Sequence, residues 1–148
     1  MSANEAPRTC MRRAIMSEDI AVAMDGILAR IPPEWGPRLD VGPGWFALLA
    51  KLDRQLGAIA PGYVVHQCKA KFGALCFYAQ PTADPFVLVP EFDELIREAE
   101  WQSTTLCEEC GAPARQYVIG MWVWTLCLNH ADLKRRPPGA NRSKPEQT

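Results

Sequence analysis

The residues best placed to do chemistry lie in the segment 107–130, CEECGAPARQYVIGMWVWTLCLNH. Its cysteines and its histidine form two pairs, each with two intervening residues, and sixteen residues separate the pairs: Cys107, Cys110, Cys127 and His130. Thiolates and an imidazole at this spacing are typical ligands of a structural zinc ion, because a tight turn brings residues i and i+3 to one ion. Gly111, which follows the first pair, permits the backbone conformation of such a turn. The sequence therefore predicts one Zn²⁺ per chain.

The ligand set favours a structural zinc ion over a catalytic one. Four protein ligands close a tetrahedral shell, whereas catalytic zinc usually keeps one position for water. We interpret Glu108 and Glu109, between the first two ligands, as solvated turn residues rather than as a general base. The chain has no deaminase pattern, no phosphate loop and no dinucleotide fingerprint, and two histidines leave no Ser-His-Asp triad if one is a ligand. We therefore expect a protein that is not an enzyme.

The residues between the two ligand pairs predict a hairpin. PARQYVIGMWVWTL contains two β-like runs around Gly120, and HADLKRR can continue as a short helical turn after the second pair. A turn, a hairpin and ligands at a helix start resemble a treble-clef or zinc-ribbon arrangement.

Three helices are predicted ahead of this module. Ser17 can cap a helix with apolar residues at helical spacing over 20–31, and a proline-rich loop follows. A second apolar stripe predicts a helix from about Gly44 to Ile59, and Pro90 can open a third.

The segment 63–81 predicts a β-hairpin or two adjacent strands. It is rich in β-branched and aromatic residues and is broken at Gly73. Cys68 and Cys76 are interpreted as small apolar residues and His66 as a hydrogen-bonded core histidine. Alternation places the following residues on the core face: Val64, His66, Cys68, Ala70 and Phe72.

These elements predict an α+β fold. Two to three helices pack on a small antiparallel hairpin or sheet, with a C-terminal zinc-ribbon or treble-clef-like module. We divide the chain into a flexible N-terminal arm (1–16), an α+β core (17–103), a zinc-binding module (104–133) and a disordered basic tail (134–148).

Charge and hydropathy limit the class of partner. The net charge is −1, but residues 14–133 hold eight basic and fifteen acidic side chains, a net −7, between basic ends. A protein that tracks a phosphate backbone needs a basic face. No apolar run approaches the ~20 residues of a membrane span or forms a signal-peptide core. We therefore expect a cytoplasmic protein without membrane contact.

Two sets of side chains are candidate partner-binding residues. Lys69 and Lys71, near Tyr78, could bind an anionic partner, or they are solvated lysines on an exposed sheet face. Trp122 and Trp124 share one face of the predicted zinc hairpin, where they either pack the module onto the helices or anchor another protein.

Residues 43–131 resemble a family of small uncharacterised proteins of bacteria, prophages and phages. The likeness lies in GWFALLAKLDRQL, HQCKAKFGALCFYA and AEWQSTTLCEECGAPARQYVIGMWVWTLCLNHA, which carry a K-x-K-F-G…F-Y strand motif and a CxxCGAP…TLCxxH module. The chain departs at Ala74 and Cys76, where the family has Gly and Arg, and at Ala70, where it has an acid. The resemblance implies the zinc ligands and a phage or prophage origin, and it implies no activity.

The expected function is therefore macromolecular binding by a zinc-stapled, non-enzymatic protein. A protein partner is favoured, and a phage-borne chain would be an accessory or host-interference factor. The alternative is nucleic-acid binding through Lys69, Lys71 and the basic C-terminal tail.

Overall fold

The computed structural model describes residues 18–136, which form four α-helices and two two-stranded antiparallel sheets. The predicted N-terminal arm, the Ser17 cap and residues 137–148 of the predicted tail lie outside the described part. No helix within residues 18–136 is long and apolar enough to cross a membrane. The elements in chain order are α1 (Glu18–Ala29), α2 (Phe46–Ile59), β1 (Val64–Lys71), β2 (Ala74–Gln80), α3 (Pro90–Ser103), β3 (Arg115–Ile119), β4 (Trp122–Leu126) and α4 (Leu128–Arg135).

The main core lies between the first three helices and the β1–β2 hairpin. Helices α1 and α3 both pack against α2, and α3 also packs against β2. The apolar stripes predicted from the sequence face inward, so the α+β class and the three helices are confirmed. The largest buried side chains include Ile27, Trp45, Leu49, Leu52, Leu56 and Phe92.

Arg30 ties the end of α1 to its neighbours. Its guanidinium lies 3.8 Å from the centre of the Tyr63 ring and 3.4 Å from the Asp53 carboxylate. The Tyr63 hydroxyl donates to the same carboxylate at 2.5 Å. Burial, followed by this hydrogen bond, raises the pKa of Tyr63 far above its ordinary value.

The predicted core face of β1 is partly wrong. Val65, which that alternation leaves off the core face, is fully buried, whereas Phe72, assigned to the core, is 74% exposed. A register shift between Val65 and Gln67 explains the first error, because one extra residue in a strand reverses its alternation. Cys68 and Leu75 on the two strands face the core.

His66 is not the hydrogen-bonded core histidine that the sequence predicts. Its ring lies against Trp35 with a centroid distance of 4.8 Å. Neither ring nitrogen has a hydrogen-bond partner within residues 18–136, although both are shielded from solvent. This side chain lies beside the loop that carries Trp35 and lines a cavity with Arg38 and Asp40.

Both hairpins end in two-residue turns that hold a bulky apolar residue at positive φ. Phe72 has φ 53° in the first turn, and Met121 has φ 70° in the second. The primed turns of tight hairpins require such angles, which cost a residue other than glycine about 1–2 kcal/mol. The side chains gain no burial in return, since Met121 is 95% exposed.

Candidate metal centre

The structure brings together the four residues that the sequence singles out by spacing. One ligand atom each from Cys107, Cys110, Cys127 and His130 lies within 4.8 Å of all the others. The His130 Nδ1 atom is 3.6 Å from the sulfur of Cys107 and 3.1 Å from that of Cys127. The sulfurs of Cys110 and Cys127 are 3.9 Å apart. Three sulfurs and one nitrogen at these distances could hold a metal ion.

The first two ligands lie on a tight turn. The N–H of Gly111 donates to the Cys107 carbonyl at 2.8 Å, and the N–H of Cys107 donates to the Ala112 carbonyl at 2.8 Å. Gly111 adopts φ 78°, as the sequence predicts for a turn of this type. The turn therefore directs both thiols to one point.

The second pair lies at the start of α4. Cys127 is the N-cap residue, and His130 lies in the first turn of the helix. The N–H of Ala131 donates to the Cys127 carbonyl at 2.9 Å, which closes that turn. The start of this helix therefore places the Cys127 sulfur and the His130 ring on the same side as the ligand turn.

The electrostatics of the cluster favour a cation. Burial, with a further contribution from the neighbouring Cys107 thiol, raises the pKa of Cys110 to about 12. Crowded thiolates repel one another in a buried site, and a divalent ion removes that repulsion by binding them. The donor set thus suits a thiophilic metal ion.

Glu108 is a buried link and not the solvated turn residue that the sequence predicts. It is only 4% exposed, and its carboxylate accepts a hydrogen bond from the Thr125 N–H at 2.7 Å. Its own N–H donates to the Thr125 carbonyl at 2.9 Å. Burial raises the pKa of Glu108, and the bond from Thr125 opposes that rise. Glu108 therefore fastens the ligand turn to the edge of β4.

The loop before α2 docks the ligand turn onto the main core. The N–H of Gly44 donates to the Glu108 carbonyl at 2.8 Å, and the Trp45 indole donates to the Leu106 carbonyl at 2.9 Å. A Cβ atom on Gly44 would lie 1.9 Å from the Cys107 carbonyl oxygen. Only glycine fits this approach. The sequence places Gly44 at the start of the second predicted helix and gives no sign of this contact.

A second link joins the tips of the two sheets. The Thr125 hydroxyl donates to the Gly73 carbonyl at 2.5 Å, and the Gln116 amide donates to the Phe72 carbonyl at 3.4 Å. These bonds fix the β1–β2 turn against the β3–β4 hairpin.

The two tryptophans of the hairpin differ in environment. Trp122 is 69% exposed, so of the two sequence interpretations, packing onto the helices does not hold for this residue. Trp124 is partly buried, with the Lys134 Nζ atom 4.0 Å from its ring centre. The same ammonium group lies 3.5 Å from the Glu109 carboxylate. Trp122 is therefore the freer of the two aromatic side chains.

The other predicted binding residues lie on the outer face of the β1–β2 hairpin. Gln67 pairs with Tyr78 and Lys69 with Cys76, so these side chains share one face. Lys71 and Tyr78 are exposed and Lys69 is partly buried. The two lysines and the tyrosine thus share one face of the β1–β2 hairpin.

The chain matches no protein-family model, no curated protein and no solved structure in our comparisons. The likeness to small bacterial, prophage and phage proteins therefore stays a prediction. Function is inferred from the cluster and from the surface around it.

Proposed function

We propose that the chain is a zinc-stapled protein without catalytic activity that works by binding another protein. Zinc is supported by the donor distances. A tetrahedral ion with bonds of ~2.3 Å to sulfur and ~2.0 Å to nitrogen separates its ligands by roughly 3.8 Å for two sulfurs and 3.5 Å for sulfur and nitrogen. The separations of 3.9 and 3.6 Å lie close to these values, that of 3.1 Å is shorter, and all four ligand atoms lie within 4.8 Å of one another.

The order of elements supports a treble clef rather than a ribbon. A ribbon takes its second ligand pair from a second turn, whereas here that pair comes from the N-cap and first turn of α4. The chain runs from the ligand turn through the β3–β4 hairpin to this helix.

A structural role for the ion follows from its neighbours. Four protein ligands leave no position for water on a tetrahedral zinc ion. Both acids between the first two ligands have other partners, since the Glu108 carboxylate accepts from the Thr125 N–H and Glu109 pairs with Lys134. The ion would hold the ligand turn and α4 together, and it would keep the β3–β4 hairpin in place.

One observation carries the binding role: a fixed, exposed apolar surface beside the metal cluster. Phe72, Met121 and Trp122 are exposed and line the same groove. Two of them occupy strained backbone conformations that bring no burial. Strain of this kind gathers at functional sites, and an exposed patch of large apolar residues marks an interaction surface.

Affinity capture from a bacterial lysate tests this role. We expect the Trp122→Ala variant to lose proteins that the wild-type chain retains. Trp101→Ala is the matched control, because Trp101 is 75% exposed but lies on α3. Identical protein sets for all three chains would contradict the proposal.

Nucleic-acid binding is the second candidate, and the shared face of Lys69, Lys71 and Tyr78 favours it. Residues 18–136 hold eleven basic and fifteen acidic side chains, a net −4, which opposes it. Binding to DNA or RNA that strengthens at low salt and weakens after deletion of residues 137–148 would support this role. Absence of retention on either polymer at low salt would exclude it.

A further inference from the structure

A groove separates the two sheets and is open to solvent. One wall is the segment Leu39–Gly42, the other is the start of β4, and the turn at Phe72 closes one end. Its volume is about 870 Å³, within the range of pockets that enclose small molecules or peptide segments. We refer to it as the inter-hairpin groove.

The first wall presents free backbone groups to the groove. Asp40 pairs with β1, since its N–H donates to the Cys68 carbonyl and its C=O accepts from the Ala70 N–H, both at 3.0 Å. Peptide groups alternate in direction along an extended chain. The C=O of Leu39 and the N–H of Val41 share planar trans peptides with these two groups, so they point away from β1, and both residues line the groove.

The second wall does the same. Thr125 turns its N–H and C=O outward from the β3–β4 hairpin, where Glu108 binds both. Val123 lies two residues earlier on β4, so its N–H and C=O point to the same outer edge. Within residues 18–136, the outward groups of Leu39, Val41 and Val123 have no hydrogen-bond partner. Unpaired backbone groups of residues 39, 41 and 123 thus border one groove, and Glu108 occupies the next outward position along β4.

We propose that the inter-hairpin groove binds an extended peptide segment of the partner protein, which adds a strand between residues 39–41 and β4. Strand addition satisfies the free N–H and C=O groups on both walls and joins the two sheets. The inference rests on the protein-binding function proposed above. It adds the conformation of the bound segment and its side-chain chemistry.

Charge and shape define that chemistry. Asp40 and Glu109 line the groove with partly exposed carboxylates, each of which has one basic partner, Arg38 at 2.9 Å and Lys134 at 3.5 Å, and Lys71 also lies among the lining residues. A lysine or arginine in the segment complements this balance. Trp122 offers an aromatic face to an apolar side chain of the bound segment. That side chain would lie two positions from the lysine or arginine, since alternate side chains of a strand share a face.

The groove is preorganised for such a ligand. The bonds from Thr125 to Gly73 and from Gln116 to Phe72 hold the end wall in place, and Glu108 holds β4. A site that is already rigid loses less entropy on binding. This accounts for strained turns that otherwise only destabilise the fold.

A peptide selected from a random linear library on the zinc-loaded chain supplies the probe. We expect selected sequences to alternate apolar residues with lysine or arginine. Trp122→Ala should weaken binding of the best peptide by roughly 10–30-fold, and Trp101→Ala should leave it unchanged. N-methylation of alternate backbone nitrogens removes the ladder donors but keeps the side chains. It should abolish binding, whereas an N-methyl group beyond the selected core should not.

The outcomes separate this inference from the proposed function. If N-methylated peptides bind as well as the parent, or if no selected peptide depends on Trp122, strand addition is refuted. Lysate capture that still depends on Trp122 would then leave the protein-binding role standing. Concentration-dependent dimers that Trp122→Ala dissociates would assign the groove to a second copy and would also refute a foreign segment.

Discussion

Replacement of Gly44 by alanine tests how the metal module is attached to the core. The added Cβ atom would lie 1.9 Å from the Cys107 oxygen, 2.6 Å from the Gly111 nitrogen and 2.7 Å from the Cys110 nitrogen. All three are backbone atoms of the ligand turn, so no side-chain rotation relieves the contact. The turn must move away from α2, and the hydrogen bond from Gly44 to Glu108 is lost with it.

The magnitude follows from these two losses. Overpacking costs about 1–3 kcal/mol and the hydrogen bond about 1 kcal/mol. The reduced entropy of the unfolded chain returns about 0.4–1 kcal/mol. We therefore expect Gly44→Ala to lower the free energy of unfolding by about 1–4 kcal/mol, although all four metal ligands are retained.

Urea unfolding at a fixed free zinc concentration measures this change, because metal binding itself shifts apparent stability. Gly26→Ala is the control, since a Cβ atom there meets no atom within 4 Å and the residue lies inside α1. That variant should gain about 0.5–1 kcal/mol. A Gly44→Ala protein as stable as the Gly26→Ala protein would refute the close docking of the ligand turn.

Three further predictions follow from single residues. Met121→Asn should raise the free energy of unfolding by about 1 kcal/mol in urea titrations, because asparagine tolerates positive φ. The same variant should bind the selected peptide more weakly. A loss of stability would contradict the strained turn. Tyr63→Phe should be less stable at neutral pH. Because the pKa of Tyr63 is raised in the folded state, the stability that its hydroxyl contributes is complete below pH ~10 and is lost as the pH rises further. The free energies of unfolding of the two proteins should therefore converge in alkali. A difference that stays constant with pH would argue against the bond to Asp53. Burial raises the pKa of Cys68 to about 12, so this thiol should not react with iodoacetamide at pH ~8 in the native protein. Peptide mass mapping should find the half-buried Cys76 labelled and Cys68 unmodified. Equal labelling of both would show that Cys68 is not buried.

The elements governed by local rules were predictable from the sequence. Ligand chemistry requires residues i and i+3 on a turn, so the two pairs in 107–130 predicted a cluster that the structure forms. The apolar period of 3.6 residues predicted α2 and α3, because one buried face is enough to define a helix. The β3–β4 turn at Gly120 followed from its strand-like flanks.

Features that depend on distant partners were not predictable. A bulge of one residue after Val65 reversed the strand faces, and periodicity carries no signal for it. Burial of Glu108 requires the backbone of Thr125, which is remote in sequence. The inter-hairpin groove likewise forms between residues 39–42 and 121–124, so no local pattern could have indicated it.

The central claim is that one zinc ion holds the ligand turn, the hairpin and α4 together. Native mass spectrometry combined with thermal unfolding tests it most directly, with Cys110→Ser as the variant and Cys76→Ser, a thiol outside the cluster, as the control. The wild-type and Cys76→Ser proteins should carry about one zinc ion per chain. The Cys110→Ser protein should carry less zinc. It should also unfold at a lower temperature, because binding of a structural metal is coupled to folding. A metal-free wild-type chain that is equally stable would contradict the account.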